Sequence, residues 1–150
     1  MQVLERPTEQ EMGRVLTTAK LTNVFDQDRA KAGELQPREV RTVEVEGLVD
    51  TGATMLVLPG DVVQKLGVPL VREVTVTYAN GGKAQRSIAR GIVIEIQGRD
   101  AIVDAIVEPE AKTVLIGQVP LEVMDLIVDP KKATLGPRPE SPDSPLIELY

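Results

Sequence analysis

The chain has 150 residues, which suits one domain, and 42% of them are hydrophobic, enough for a packed core. A formal net charge of −6 repels phosphate backbones and argues against nucleic acid as a partner; no apolar run approaches the roughly 20 residues that span a bilayer. With no His and no Cys, Ser-His-Asp triads, Cys-His pairs and His- or Cys-ligated zinc are excluded, so an enzyme built from this chain works with carboxylates, Lys, Arg, Tyr or hydroxyls. No cofactor or metal is expected, and no membrane partner. The N-terminus lacks an apolar signal-peptide core, so a cytoplasmic protein is expected.

Aromatics are only 2% of the chain, so Val, Ile and Leu must fill the core, and β-branched residues favour strands. Residues 1–13 are polar and read as an N-terminal arm. Arg14 to Leu21 reads as a first strand. Asn23 to Pro37 is polar and reads as a loop with at most a short helical turn. Its Asp26-Gln27-Asp28 lacks the Gly and Glu of an EF-hand and is read as solvated. Arg41 to Val49 alternates as a strand and runs into Asp50-Thr51-Gly52-Ala53. Pro59 to Gly67 reads as a short helix, with Val62, Val63 and Leu66 on one face and Gly67 at its end.

Val74 to Tyr78 alternates, Asn80-Gly81-Gly82 turns, and the chain returns through Ala84 to Ile88 as a hairpin. A second hairpin pairs Ile92–Ile96 with Ala101–Val107 around Gly98. Val114-Leu115-Ile116-Gly117 is a further strand, and Pro120 to Ile127 reads as a second short helix. The two strand–Pro–helix passages, Leu48 to Leu66 and Val114 to Ile127, echo one another and suggest two related halves. From residue 136 the Pro-rich chain is expected to be extended or mobile. Leu146 to Tyr150 is apolar again and reads as a possible docked strand.

Asp50-Thr51-Gly52 places a carboxylate at the end of a buried strand, then a hydroxyl, then a Gly that lets the backbone turn and a ligand or second chain approach. A plain turn uses the same residue types. The preceding strand, the small residue after it and the Pro-started helix are more than a turn needs.

Leu48-Val49-Asp50-Thr51-Gly52-Ala53 followed by Leu58-Pro59 resembles the retropepsin-like aspartic peptidases, the family of retroviral proteases and their cellular relatives. Asn80-Gly81-Gly82 falls where that family has its flap, and Leu115-Ile116-Gly117 matches its second apolar-apolar-Gly element. The resemblance covers roughly residues 40–135. It implies an all-β, single-domain acid-protease fold: a closed β-barrel or sandwich with one or two short helices, acting as a homodimer. A protease domain over 14–135 and a Pro-rich tail over 136–150 follow.

The resemblance implies Asp50 as catalytic acid and base, Thr51 as a brace between paired loops, and Gly52 and Ala53 as room for substrate backbone. Asn80, Gly81 and Gly82 become a substrate-capping flap. Thr54 and Met55 stand where viral members are often acidic, which leaves the viral ion pairs without a counterpart. The chemistry needs two carboxylates that share one proton. Asp104 lies mid-strand and Asp129 precedes Pro130, so neither reads as a second catalytic loop; the second Asp50 must come from a second copy. The expected function is an aspartic endopeptidase with a peptide or protein substrate. The alternative is a non-catalytic dimeric peptide-binding or scaffolding module of the same fold.

Overall fold

Two strands of the structure show clean alternation between core and outer face. β2 (Thr42–Val49) turns Val43, Val45, Gly47 and Val49 inward, and β6 (Arg99–Glu108) buries every second residue from Arg99 to Val107. A computed structural model describes residues 15–149. The expected arm 1–13, Arg14 of the expected first strand, and Tyr150 lie outside the described residues.

The other strands are β1 (Val15–Asn23), β3 (Leu56–Pro59), β4 (Leu70–Thr77), β5 (Lys83–Ile96), β7 (Val114–Ile116), β8 (Leu126–Asp129) and β9 (Thr134–Pro137). Six of them close in the order β1-β2-β7-β3-β6-β5, and the β1–β5 pairing, Lys20 opposite Glu95 to Asn23 opposite Ile92, completes the ring. β4 hangs on the outside of β5, and β8 and β9 form a separate two-stranded sheet. The core is aliphatic, as the composition requires: Leu21, Leu56, Leu58, Ile92, Ile94, Ile96, Ile116 and Met124 are fully buried, while Phe25 is exposed.

The described residues hold three α-helices, not the expected one or two: α1 (Val24–Lys31), α2 (Gly60–Leu66) and α3 (Gln118–Met124). α1 occupies the segment expected to be a loop. It has no apolar face for periodicity to reveal. Instead Asn23 caps it, its side-chain oxygen accepting the N–H groups of Phe25 and Asp26 at 2.9 and 3.0 Å. Arg41 then binds the buried Asp26 carboxylate through two guanidinium nitrogens at 2.7 and 3.0 Å. α2 matches expectation, with the Gly67 N–H closing on the Val63 and Gln64 carbonyls.

α3 is shifted from the expected 120–127. It begins at Gln118, holds Pro120 within its first turn and stops at Asp125, whose backbone is left-handed at φ 58°. Ile127 is therefore on β8, not on the helix, and the echo between the two Pro-started passages ends at Met124. The two expected hairpins share one strand. β5 runs unbroken through both, bending at a register shift between Ala89 and Ile92.

Of the two expected states of the Pro-rich segment, extended or mobile, the structure shows an extended segment that is anchored at several points. Gly136 and Pro137 pair with Ile127 and Leu126. Beyond them Arg138 binds Asp125, and the Leu146 N–H donates to the Asp125 Oδ2 at 2.8 Å. Residues 146–149 form no strand.

Candidate active site

The Asp50 loop is held by β7, which enters between the strands on either side of that loop. Val49 lies opposite Ile116 in the parallel β2–β7 pair, and Leu56 lies opposite the same Ile116 in the antiparallel β3–β7 pair. One three-residue apolar strand thus clamps both ends of the loop. Its ladder continues past the strand, with the Asp50 N–H donating to the Ile116 carbonyl at 3.0 Å.

The loop closes on itself and on the start of α3. The Ala53 N–H donates to the Asp50 carbonyl at 3.0 Å, and the Gly52 N–H to the Asp50 Oδ1 at 3.0 Å. The Ala53 and Thr54 carbonyls accept the N–H groups of Gln118 and Val119 at 2.8 and 2.9 Å. Gly117 makes that approach possible. A Cβ there would stand 2.6 Å from the Ala53 carbonyl oxygen and 2.8 Å from the Met55 nitrogen, and closer still to the Met55 oxygen. Gly117→Ala is expected to destabilise the chain by about 1–3 kcal/mol through overpacking and to distort the loop. A denaturation midpoint equal to the parent's would show that the loop can retreat from Gly117.

Asp50 is half-buried, with one oxygen held by Gly52, while Thr51 and Gly52 are exposed. Thr51 opens on a mainly apolar cavity of about 300 Å³ whose walls include Gln118, Leu121, Leu126 and Ile127. The other two acids weighed in the sequence have local partners: Asp104 Oδ1 accepts the Gly91 N–H at 3.3 Å, and Asp129 Oδ1 accepts the N–H groups of Lys131 and Lys132 at 3.0 and 3.2 Å. Among the described residues no group of three or more acidic side chains gathers where it could hold a metal ion. Nor is any helix among them long and apolar enough to cross a membrane.

Asn80, Gly81 and Gly82 form the tip of the β4–β5 hairpin. The Tyr78 N–H donates to the Gly82 carbonyl at 2.8 Å, the Gly81 N–H to the Tyr78 carbonyl at 2.9 Å, and the Gly82 N–H to the Asn80 Oδ1 at 2.8 Å. All three tip residues are exposed. Among the described residues no hydrogen bond joins them to Asp50–Ala53, so the loop and the hairpin tip are separate features of one chain.

Sequence reasoning passed over three residues that meet where the hairpin faces the end of β6: Tyr78, Arg86 and Glu108. The Tyr78 hydroxyl donates to the Glu108 Oε1 at 2.5 Å and the Arg86 Nε to its Oε2 at 3.0 Å. Their separations of 30 and 22 positions leave no local signal.

No curated protein matches the chain. Residues 37–122, more than half of the chain, match the family model described as gag-polyprotein putative aspartyl protease; the span includes the Asp50 loop, the hairpin and β7. A mostly β closed barrel and a matched span of that extent lead to one conclusion: the chain belongs to this aspartyl protease family.

Proposed function

We propose that the chain is an aspartic endopeptidase that works as a homodimer, each copy giving its Asp50 to one shared site. The observation that carries this reading is the Asp50 loop itself: a half-buried carboxylate on a loop clamped by β7, beside an open apolar groove, present once per chain. A dyad needs two such carboxylates, and a two-fold axis supplies the second. The exposed Thr51 and the exposed apolar Ile127 on the wall of the same cavity support a partner covering this face.

In that site the ionised member of the pair takes a proton from a water, and the water oxygen bonds to the scissile carbonyl carbon. The protonated member gives its proton to the carbonyl oxygen. Collapse of the tetrahedral intermediate breaks the C–N bond, with a proton passing to the leaving amine. Thr51 braces the paired loops, Gly52 and Ala53 leave space for substrate backbone, and Asn80, Gly81 and Gly82 cap the substrate as a flap. The protease domain is taken as 14–135, with the arm 1–13 outside it and the tail 136–150 packed back on it through β9 and Asp125.

The test uses a diverse peptide mixture at mildly acidic to neutral pH, with new termini read by mass spectrometry. Cleavage is expected, at a rate per chain that rises with chain concentration and levels off once the dimer is saturated. A constant rate per chain through the range where sedimentation finds only monomer would overturn the shared site. No cleavage by protein shown to be dimeric would leave the binding module in place of the peptidase.

A further inference from the structure

The β4–β5 hairpin is a cantilever. β4 pairs only with β5, most of its side chains are exposed, and β5 leaves the β6 ladder at Ile88 opposite Ile106. Everything from Val74 to Arg86 projects beyond that last pair. An isolated two-stranded ribbon is marginal in water, so such a tip is free to swing unless something ties it down.

One carboxylate makes the tie. Glu108 ends β6, immediately before the loop that leads to β7. Its two oxygens are divided between the two strands of the hairpin, one accepting from Tyr78 just past β4 at 2.5 Å, the other from Arg86 on β5 at 3.0 Å. The Arg86 guanidinium also stands over the Tyr78 ring, 6.0 Å from its centre. The remaining side-chain bonds of this half of the hairpin stay within it: Gln85 to Thr75, Arg86 to the Gln85 carbonyl and Asn80 with Gly82. Among the described residues, the side-chain hydrogen bonds that tie the outer half of the hairpin to the barrel are those to Glu108. The Glu108 hydrogen bond also pushes the pKa of the Tyr78 hydroxyl above its ordinary value.

We propose that Glu108 is a latch, a positioning residue that holds the flap hairpin at one height against β6 by gripping Tyr78 and Arg86 together. Releasing the latch frees the tip without loosening the barrel. The consequence for substrate capture rests on the peptidase reading above; the latch itself does not. A flap held in place caps a bound peptide at lower ordering cost, so the latch acts on binding more than on the chemical step.

The latch is tested by rapid amide hydrogen exchange on the parent, Tyr78→Phe and Glu108→Ala. Tyr78→Phe keeps the ring and removes one hydroxyl from an exposed side chain, so it guards against a folding defect in the other variant. In both variants residues 76–86 are expected to exchange roughly tenfold faster, with 92–96 and 101–107 at parent rates. Adding Tyr78→Phe to Glu108→Ala is expected to change little more, because the two share one contact. Parent-like exchange of 76–86 in both variants would overturn the latch, and so would uniform acceleration across the barrel. These readouts need no cleavage, so the latch and the peptidase can fail separately. On a cleaved peptide, KM is expected to rise about fivefold in Tyr78→Phe with kcat within about twofold. A fall in kcat at constant KM would overturn the positioning role.

Discussion

Asp50→Asn is expected to lower kcat/KM by roughly 10³-fold or more while leaving the fold unchanged. The large factor follows from symmetry. On the dimeric reading one substitution removes both members of the dyad, so neither base nor acid remains. The small structural effect follows from the hydrogen bonds that hold the loop. The Asn amide oxygen can still accept the Gly52 N–H, and the backbone bond from residue 50 to the Ile116 carbonyl is untouched. Peptide cleavage and thermal unfolding, measured on the same preparations, check both halves. Equal cleavage by parent and variant would remove Asp50 from the chemistry. A large drop in the unfolding midpoint would mean that the carboxylate is structural.

Asp125→Ala is expected to cost more stability than any other single change described here, lowering the thermal midpoint by roughly 10 °C or more. Asp125 is nearly enclosed at the end of α3, and its carboxylate accepts from Arg138 and from the Leu146 N–H. Arg99 lies 4.0 Å away, buried at a core position of β6. It donates to the Met124, Asp125 and Ser141 carbonyls. Removing Asp125 leaves a buried guanidinium without its nearest anion and lets go of the chain from Arg138 to Leu146.

The same network sets an acid limit. Arg138 first, with the Leu146 N–H in support, holds the Asp125 carboxyl below its ordinary value of 3.8. A carboxyl depressed in the folded state contributes stability that is complete above the unfolded value and is lost as pH falls through the folded one. The parent is therefore expected to lose stability below about pH 4, and Asp125→Asn to lose less over that interval. Denaturant midpoints from pH 6 down to pH 2 measure this directly. Parallel curves for parent and variant would assign the acid loss to other groups.

What could be read from the sequence was what repeats at short range. The alternation of β2 was visible because one face of that strand meets the core, and that of β4 because alternate residues are half-buried on an otherwise exposed strand. The turn at Asn80–Gly82 and the end of α2 at Gly67 were visible because few residues suit those places. The Asp50 loop and β7 were legible as a pair through the family resemblance, though not the way β7 clamps both ends of the loop. The elements that were misread are held by distant partners. α1 starts at a local cap, Asn23, but is tied down by Arg41, which lies 15 positions from Asp26. β8 is set by pairing with β9 across a Pro-containing turn, so Ile127 was assigned to the wrong element. Arg99 fell between the turn at Gly98 and the strand expected from Ala101, and the sequence assigned it no role. Only the fold reveals that its position points inward, with carbonyls 25 and 26 positions away to receive it.

The closure of the barrel by β1 has a consequence for how the chain can be shortened. β1 lies before residue 37, where the family match begins, yet it is paired on both sides, with β2 from Val15 opposite Val49 to Thr22 opposite Thr42 and with β5. A piece trimmed to the matched span would open the ring along two strands at once. The β2 edge and the inner edge of β5 would then present unpaired N–H and C=O groups over a Val- and Ile-rich face. Such a fragment would be a template for intermolecular strand addition, prone to clump rather than to stay dispersed.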